Sequence, residues 1–152
     1  MTEKPAFKFV RPIKVIFRDL DGMRHVNHAV YLSYCEAARN EYWMQVTGIT
    51  RVEEYDFVLA ELTARYRAPA SLGDELLVGC GVTELRRSSF VMGHEIRHAQ
   101  TGRLIAEIDV VGVMYDYAAG KTIRLSAHRQ DQIESFEGRP LAVAQREPIR
   151  AD

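Results

Sequence analysis

Apolar residues recur at helical spacing in one long stretch of this 152-residue chain. Val30, Tyr31, Tyr34, Cys35, Ala38 and Tyr42 fall on one face of a 3.6-residue period, which predicts an amphipathic helix over residues 28–47. Asn27 is expected to cap its start and Gly48 to end it. Upstream, Val15-Ile16-Phe17 reads as a short strand. Beyond residue 55 the period drops to two. Val58, Ala60, Leu62, Ala64 and Tyr66 alternate with more polar neighbours up to Pro69. Further strands are marked by Leu76, Val78, Cys80 and Val82, by Phe90, Met92, His94 and Ile96, and by Leu104, Ala106, Ile108, Val110 and Met114. Thr101-Gly102 is the expected hairpin turn between the last two, and Ala119-Gly120 closes the final one. Ser126 is placed as the cap of a short helix through Phe136, stopped by Gly138.

One strand, a long helix and then four consecutive strands joined by short turns predict an α+β domain, an antiparallel sheet packed on one helix. Ile105, Val111 and Val113 put apolar groups on the sheet face away from that helix, which is expected to meet a partner subunit. A single domain over 1–138 is followed by an aperiodic tail, 139–152, expected to be loosely ordered. With 20 basic and 21 acidic residues the formal charge is −1, so no global positive field favours nucleic acid. No run is long and apolar enough to span a membrane, and no signal peptide is apparent. Cys35 and Cys80 fit neither a disulfide framework nor a zinc or redox pair, which points to reduced thiols and a cytoplasmic protein.

The densest chemistry lies between Asp19 and Arg39, in DLDGMRHVNHAVYLSYCEAAR. Asp21, His25, Asn27 and His28 fall in a loop that feeds a helix N-terminus. Unpaired amides and the helix dipole there stabilise negative charge on oxygen. A carboxylate at that place can attack a carbonyl or deprotonate water. Turn formation by Asp21 and capping by Asn27 account for the same residues without chemistry.

The pattern D-x-D-x-x-x-H-V-N-x-A-x-Y-x-x-Y-x-E-x-A-R resembles the start of hotdog-fold acyl-CoA thioesterases of the 4-hydroxybenzoyl-CoA thioesterase type. Tyr66-Arg67-Ala68-Pro69-Ala70-Ser71-Leu72-Gly73-Asp74-Glu75-Leu76 is similar to that family's Y-x-x-P-x-x-x-G-D-x-L. Ser89-Phe90, Gly102 and Ala106-Glu107 fit its later strands. The resemblance implies a hotdog fold, in which a sheet of about five antiparallel strands wraps one long helix. It also implies a homodimer or dimer-of-dimers tetramer with sites at the subunit interface, and an acyl-CoA substrate hydrolysed without metal or organic cofactor. Asp21 then aligns with the catalytic carboxylate, as nucleophile or general base. The amide near His28 aligns with the carbonyl-polarising donor, and His25 and Asn27 line the site. The family commonly has Gly at Arg24 and a second Asn at His28. Arg24 lacks glycine's easy access to positive φ. Three roles stay open for it: holding Asp21 ionised, touching a substrate phosphate or carboxylate, or reshaping the loop.

Coenzyme A carries phosphates, so basic groups are expected at the cleft, among them Arg67, Arg86 and Arg87; Tyr31 is a candidate contact for the acyl group. Glu36 or Glu41 would replace Asp21 if the loop were displaced. His94-Glu95-Ile96-Arg97-His98 matches a zinc-protease pattern. On a strand, however, its two histidines would stand ~13 Å apart, too far for one metal. Two further readings share the fold: a non-catalytic acyl-CoA sensor, and an enoyl-CoA hydratase using Asp21 and His25.

Overall fold

The structure, a computed structural model of the chain, describes residues 2–143. Strands β1 (Phe9–Lys14), β2 (Phe57–Tyr66), β3 (Glu75–Leu85), β4 (Ser89–His98) and β5 (Leu104–Asp116) form one antiparallel sheet in the order β1-β3-β4-β5-β2. A two-residue strand β6 (Lys121–Thr122) pairs with the end of β5. Helix α1 (Val30–Thr47) lies on the sheet, and α2 (Ala127–Glu137) packs beside it.

The helix buries the stripe that its spacing predicted. Tyr31, Tyr34, Cys35, Ala38, Tyr42 and Trp43 face Val78, Cys80, Val82, Phe90, Met92 and Ile108 from the strands. Trp43 stacks on Phe90 with ring centroids 5.0 Å apart. Gly48 ends α1 in the left-handed region, and the Ser126 hydroxyl caps α2 by accepting from the Arg129 amide at 3.1 Å. The helix starts two residues later than expected, with Ala29 and not Asn27 at its cap position.

Three other expectations change. Val15-Ile16-Phe17 is not the first strand. That strand lies earlier, at Phe9–Lys14, and Phe17–Asp19 is a single 3-10 turn. Pro12 hides β1 from pattern reading, and it is tolerated because β1 is an edge strand. The alternation in β2 does not reflect burial on one face, since most of the strand is exposed. Its outer edge pairs with no other strand among the described residues, and Leu59, Leu62 and Tyr66 are exposed. Finally, the face away from α1 is partly covered from within. Gly79, Gly81 and Gly93 leave a trough there in which Pro5 and Phe7 lie; a Cβ at Gly79 would overlap Pro5. Ile105 on that face is buried, and Val111 and Val113 are half-buried.

The stretch assigned to the tail begins in place. Leu141 is buried, and its carbonyl accepts from the Leu85 amide at 3.0 Å. Residues 144–152 lie outside the described part. Among the described residues no helix is long and apolar enough to cross a membrane.

His94 and His98 both stand on β4, as the alternation implied. His94 is buried beneath α1, with Nδ1 3.1 Å from the Ile108 carbonyl, so it donates there as neutral imidazole. Burial, with Arg39 adding to it, pulls its pKa from 6.5 to about 4. Between those values the unfolded chain binds a proton that the folded chain does not. Stability is therefore complete above pH 6.5 and falls as the pH drops towards 4. Denaturant titrations at pH 5 and 7.5 are expected to show this loss in the wild type and a smaller one in His94→Leu.

Candidate active site

The loop between the 3-10 turn and α1 is built by backbone bonds. Leu20 and Val26 form an antiparallel bridge, the Asp21 amide donates to the His25 carbonyl at 2.9 Å, and the Arg24 amide donates to the Asp21 carbonyl at 3.0 Å. The Val26 amide donates to the Ala70 carbonyl at 2.9 Å, which ties this loop to the segment after β2. One carboxylate oxygen of Asp21, Oδ1, accepts from the Met23 amide at 2.8 Å. The tight turn is completed by Arg24 at φ 64°, the one non-glycine residue with positive φ among those described. The loop thus keeps the shape a glycine would give it, at a conformational cost of roughly 1–2 kcal/mol.

The two acids of the D-x-D pattern have different surroundings. Asp19 is buried, and its Oδ2 accepts from the Tyr34 hydroxyl at 2.7 Å and the Ile16 amide at 3.0 Å. Asp21 is half-exposed and lines a cleft of about 370 Å³. His25, His28, Tyr31 and Arg67 of the predicted set share that cleft.

Asn27 organises the helix start. Its Oδ1 accepts from the Ala29 amide at 2.9 Å and its carbonyl accepts from the Val30 amide at 2.9 Å. Neither bond uses the His28 amide. The His28 carbonyl accepts from the Tyr66 hydroxyl at 2.7 Å. Tyr66 and Tyr31 rings lie 5.6 Å apart, and the Tyr31 hydroxyl accepts from the Ala70 amide at 3.1 Å. Burial raises both phenols above the usual tyrosine range, so both stay protonated at neutral pH.

Tyr66 and Met23 are cleft residues that the loop motif did not single out. The signal for Tyr66 was present, since it opens the Y-x-x-P stretch. Arg67 lines the cleft, but its guanidinium is engaged by Glu107 at 2.9 Å. Arg86 and Arg87 stand at the far end of β3. That strand has 11 residues, so they lie ~35 Å from its Glu75 end, beside Arg124 and Gln130. Glu36 and Glu41 do not line the cleft. Glu41 pairs with Arg11 at 2.7 Å, and Glu36 sits 4.0 Å from Arg39. Cys35 is buried, and its thiol is pushed up to about 12, which makes it a core residue and a poor nucleophile. Among the described residues no group of three or more His, Cys, Asp or Glu side chains is placed to hold a metal ion.

A fixed carboxylate and the opening turn of a helix thus face one cleft, with apolar and phenolic walls. The family profile described as the Thioesterase-like superfamily matches residues 15–133. An acyl-CoA thioesterase YbgC of Helicobacter pylori is 36% identical over 91 residues, covering 60% of this chain and 68% of that protein. The long-chain acyl-CoA thioesterase FadM of Escherichia coli is 28% identical over 132 residues, covering 82% and 96%. Among solved structures, a Thermus thermophilus thioesterase complexed with coenzyme A and Zn superposes with a TM-score of 0.81 at 37% identity, covering 89% of this chain and 98% of that one.

Proposed function

This chain belongs to the thioesterase-like superfamily and is a hotdog-fold acyl-CoA thioester hydrolase, and from that premise we propose that Asp21 is its catalytic carboxylate. The observation that carries this is the shared cleft: Asp21 and the residues that open α1 line one space, and among the described residues no other carboxylate lines it.

The acyl carbonyl of the substrate points at the start of α1. The His28 amide donates to its oxygen, and the positive end of the helix stabilises the charge that develops there. Asp21 either attacks the carbonyl carbon, giving a mixed anhydride that water then cleaves, or removes a proton from the attacking water. In both routes the thiolate of coenzyme A leaves and takes up a proton. Asn27 and Tyr66 are positioning residues: one holds the amides of the first turn, the other holds the His28 carbonyl. Tyr31, Tyr66 and Met23 form the wall that meets the acyl group. The direct assay is release of free thiol from a panel of acyl-CoAs; binding without release would reassign the protein to a sensor.

The site is completed in our reading by a second copy. The outer edge of β2 offers unpaired backbone groups beside exposed Leu59 and Leu62, and an open edge of this kind is a template for pairing. Two-fold pairing there would run the two β2 strands antiparallel, so the Tyr66 end of one copy, beside its cleft, meets the Phe57 end of the other. Light scattering is expected to give a dimer or a multiple of it. Leu62→Asp is expected to lower both the mass and the specific activity; a fully active monomer would end this part of the reading. A cytoplasmic location goes with it, in keeping with two buried free cysteines.

A further inference from the structure

We infer that Arg24 is a substrate-recognition residue that grips an anionic group of the thioester, the phosphates of coenzyme A, from the lip of the Asp21 cleft. The inference rests on the reading of Asp21 given above.

Three observations carry it. The first is conformational. Arg24 holds a left-handed backbone where glycine would sit without strain, and it is the only described residue of its kind to do so. The turn itself gains nothing from a long side chain. A residue kept in a sparsely populated conformation beside a reactive group points to a use for that side chain.

The second is electrostatic. Arg24 is exposed, and its guanidinium makes no hydrogen bond or ion pair with any described residue. Of the arginines tied to cleft residues, Arg67 is engaged by Glu107 at 2.9 Å and Arg103 by the Pro69 carbonyl at 3.1 Å. Asp21 is turned to the Met23 amide and forms no ion pair with Arg24. Helping Asp21 ionise is therefore not what the geometry favours, and the loop is not reshaped.

The third is position. Met23 and His25 line the cleft while Arg24, between them, does not. Arg24 is exposed on the same tight turn that carries Asp21, so its side chain is open to solvent beside the residues that line the cleft. The charged groups of an acyl-CoA nearest to a mouth are its phosphates, at the far end of the pantetheine arm. A carboxylate at the end of an acyl group is the other source of the same chemistry. Arg suits either, because its fork of donors matches oxyanion geometry.

The test uses calorimetric binding to the full chain, which does not depend on turnover. The probes are coenzyme A and pantetheine, the latter carrying the same thiol arm without phosphates. Arg24→Gly is expected to weaken coenzyme A binding about tenfold and leave pantetheine binding unchanged, with Arg24→Lys recovering part of the loss. Because glycine relieves the positive φ, the thermal midpoint of Arg24→Gly is expected at or above the wild-type value, so the loss cannot be ascribed to unfolding. With acyl-CoA as substrate the KM should rise with little change in kcat. A second pair of probes, pantetheine thioesters with and without a terminal acyl carboxylate, separates the sources: weakening confined to the carboxylated probe moves the contact to the acyl end. Equal affinities of wild type and Arg24→Gly for every probe, or equal losses for coenzyme A and pantetheine, would overturn the inference. Hydrolysis with such an outcome leaves the assignment of Asp21 standing. Coenzyme A binding through Arg24 with no thiol release overturns the assignment of Asp21 alone.

Discussion

Asp21→Asn is expected to lower kcat for thioester hydrolysis by ~10³-fold or more, equivalent to ~4 kcal/mol of barrier, with the fold unchanged. The substitution keeps shape and removes charge. An asparagine side chain still offers an oxygen to the Met23 amide, so the turn that carries it has no reason to open. It cannot attack a carbonyl or take a proton from water. The effect should therefore fall on kcat, with the thermal midpoint and coenzyme A affinity close to wild type. Thiol release under saturating acyl-CoA measures it. Turnover at the wild-type rate would show that water alone suffices at the helix start, since Glu36 and Glu41 do not line the cleft.

Asp19→Ala is expected to do the reverse, costing about 3 kcal/mol of stability while the folded fraction keeps its chemical step. The Asp19 carboxylate is buried and accepts from both the Tyr34 hydroxyl and the Ile16 amide. Removing it strands a phenolic hydroxyl inside the core and an amide at its edge. The bond between the Asn27 amide and the Asp19 carbonyl, 2.8 Å, survives, so the helix start keeps one of its ties. Urea midpoints of Asp19→Ala, Tyr34→Phe and the double variant form a cycle. The double variant should be less destabilised than the sum of the two, because each partner is orphaned only while the other remains.

How far the chain could be read in advance depended on how local each cause is. Helix α1 was legible because its buried stripe repeats over five turns, and α2 because Ser126 and Gly138 bracket it. Strands β3, β4 and β5 were legible because both neighbours bury alternate residues. The first strand was not, since an edge strand can carry Pro12 and charged residues where a central one cannot. The alternation of β2 does not track burial in one copy, since no strand pairs with its open side among the described residues.

The site divides the same way. Asp21, His25 and His28 are near neighbours in sequence, and a short loop keeps them together. Tyr66 reaches the cleft only because the end of β2 returns to the helix start, a long-range fact. Arg86 and Arg87 look suited to phosphate, but spacing along a chain does not tell which end of a sheet a turn occupies. Arg24 lacks glycine's easy access to positive φ, yet the bonds of the loop hold it there.

The glycine trough under Pro5 and Phe7 makes mutational tolerance conditional. At positions 79 and 93 a methyl group is unwelcome because a segment from the start of the chain already fills the space, whereas at position 81 the nearest obstacle is the Glu137 carboxylate. A chain trimmed of that segment would accept alanine at these two sites where the intact one resists it, and a library screened on shortened variants would misjudge both. Epistasis here links a strand interior to an end of the polypeptide that has no part in the chemistry.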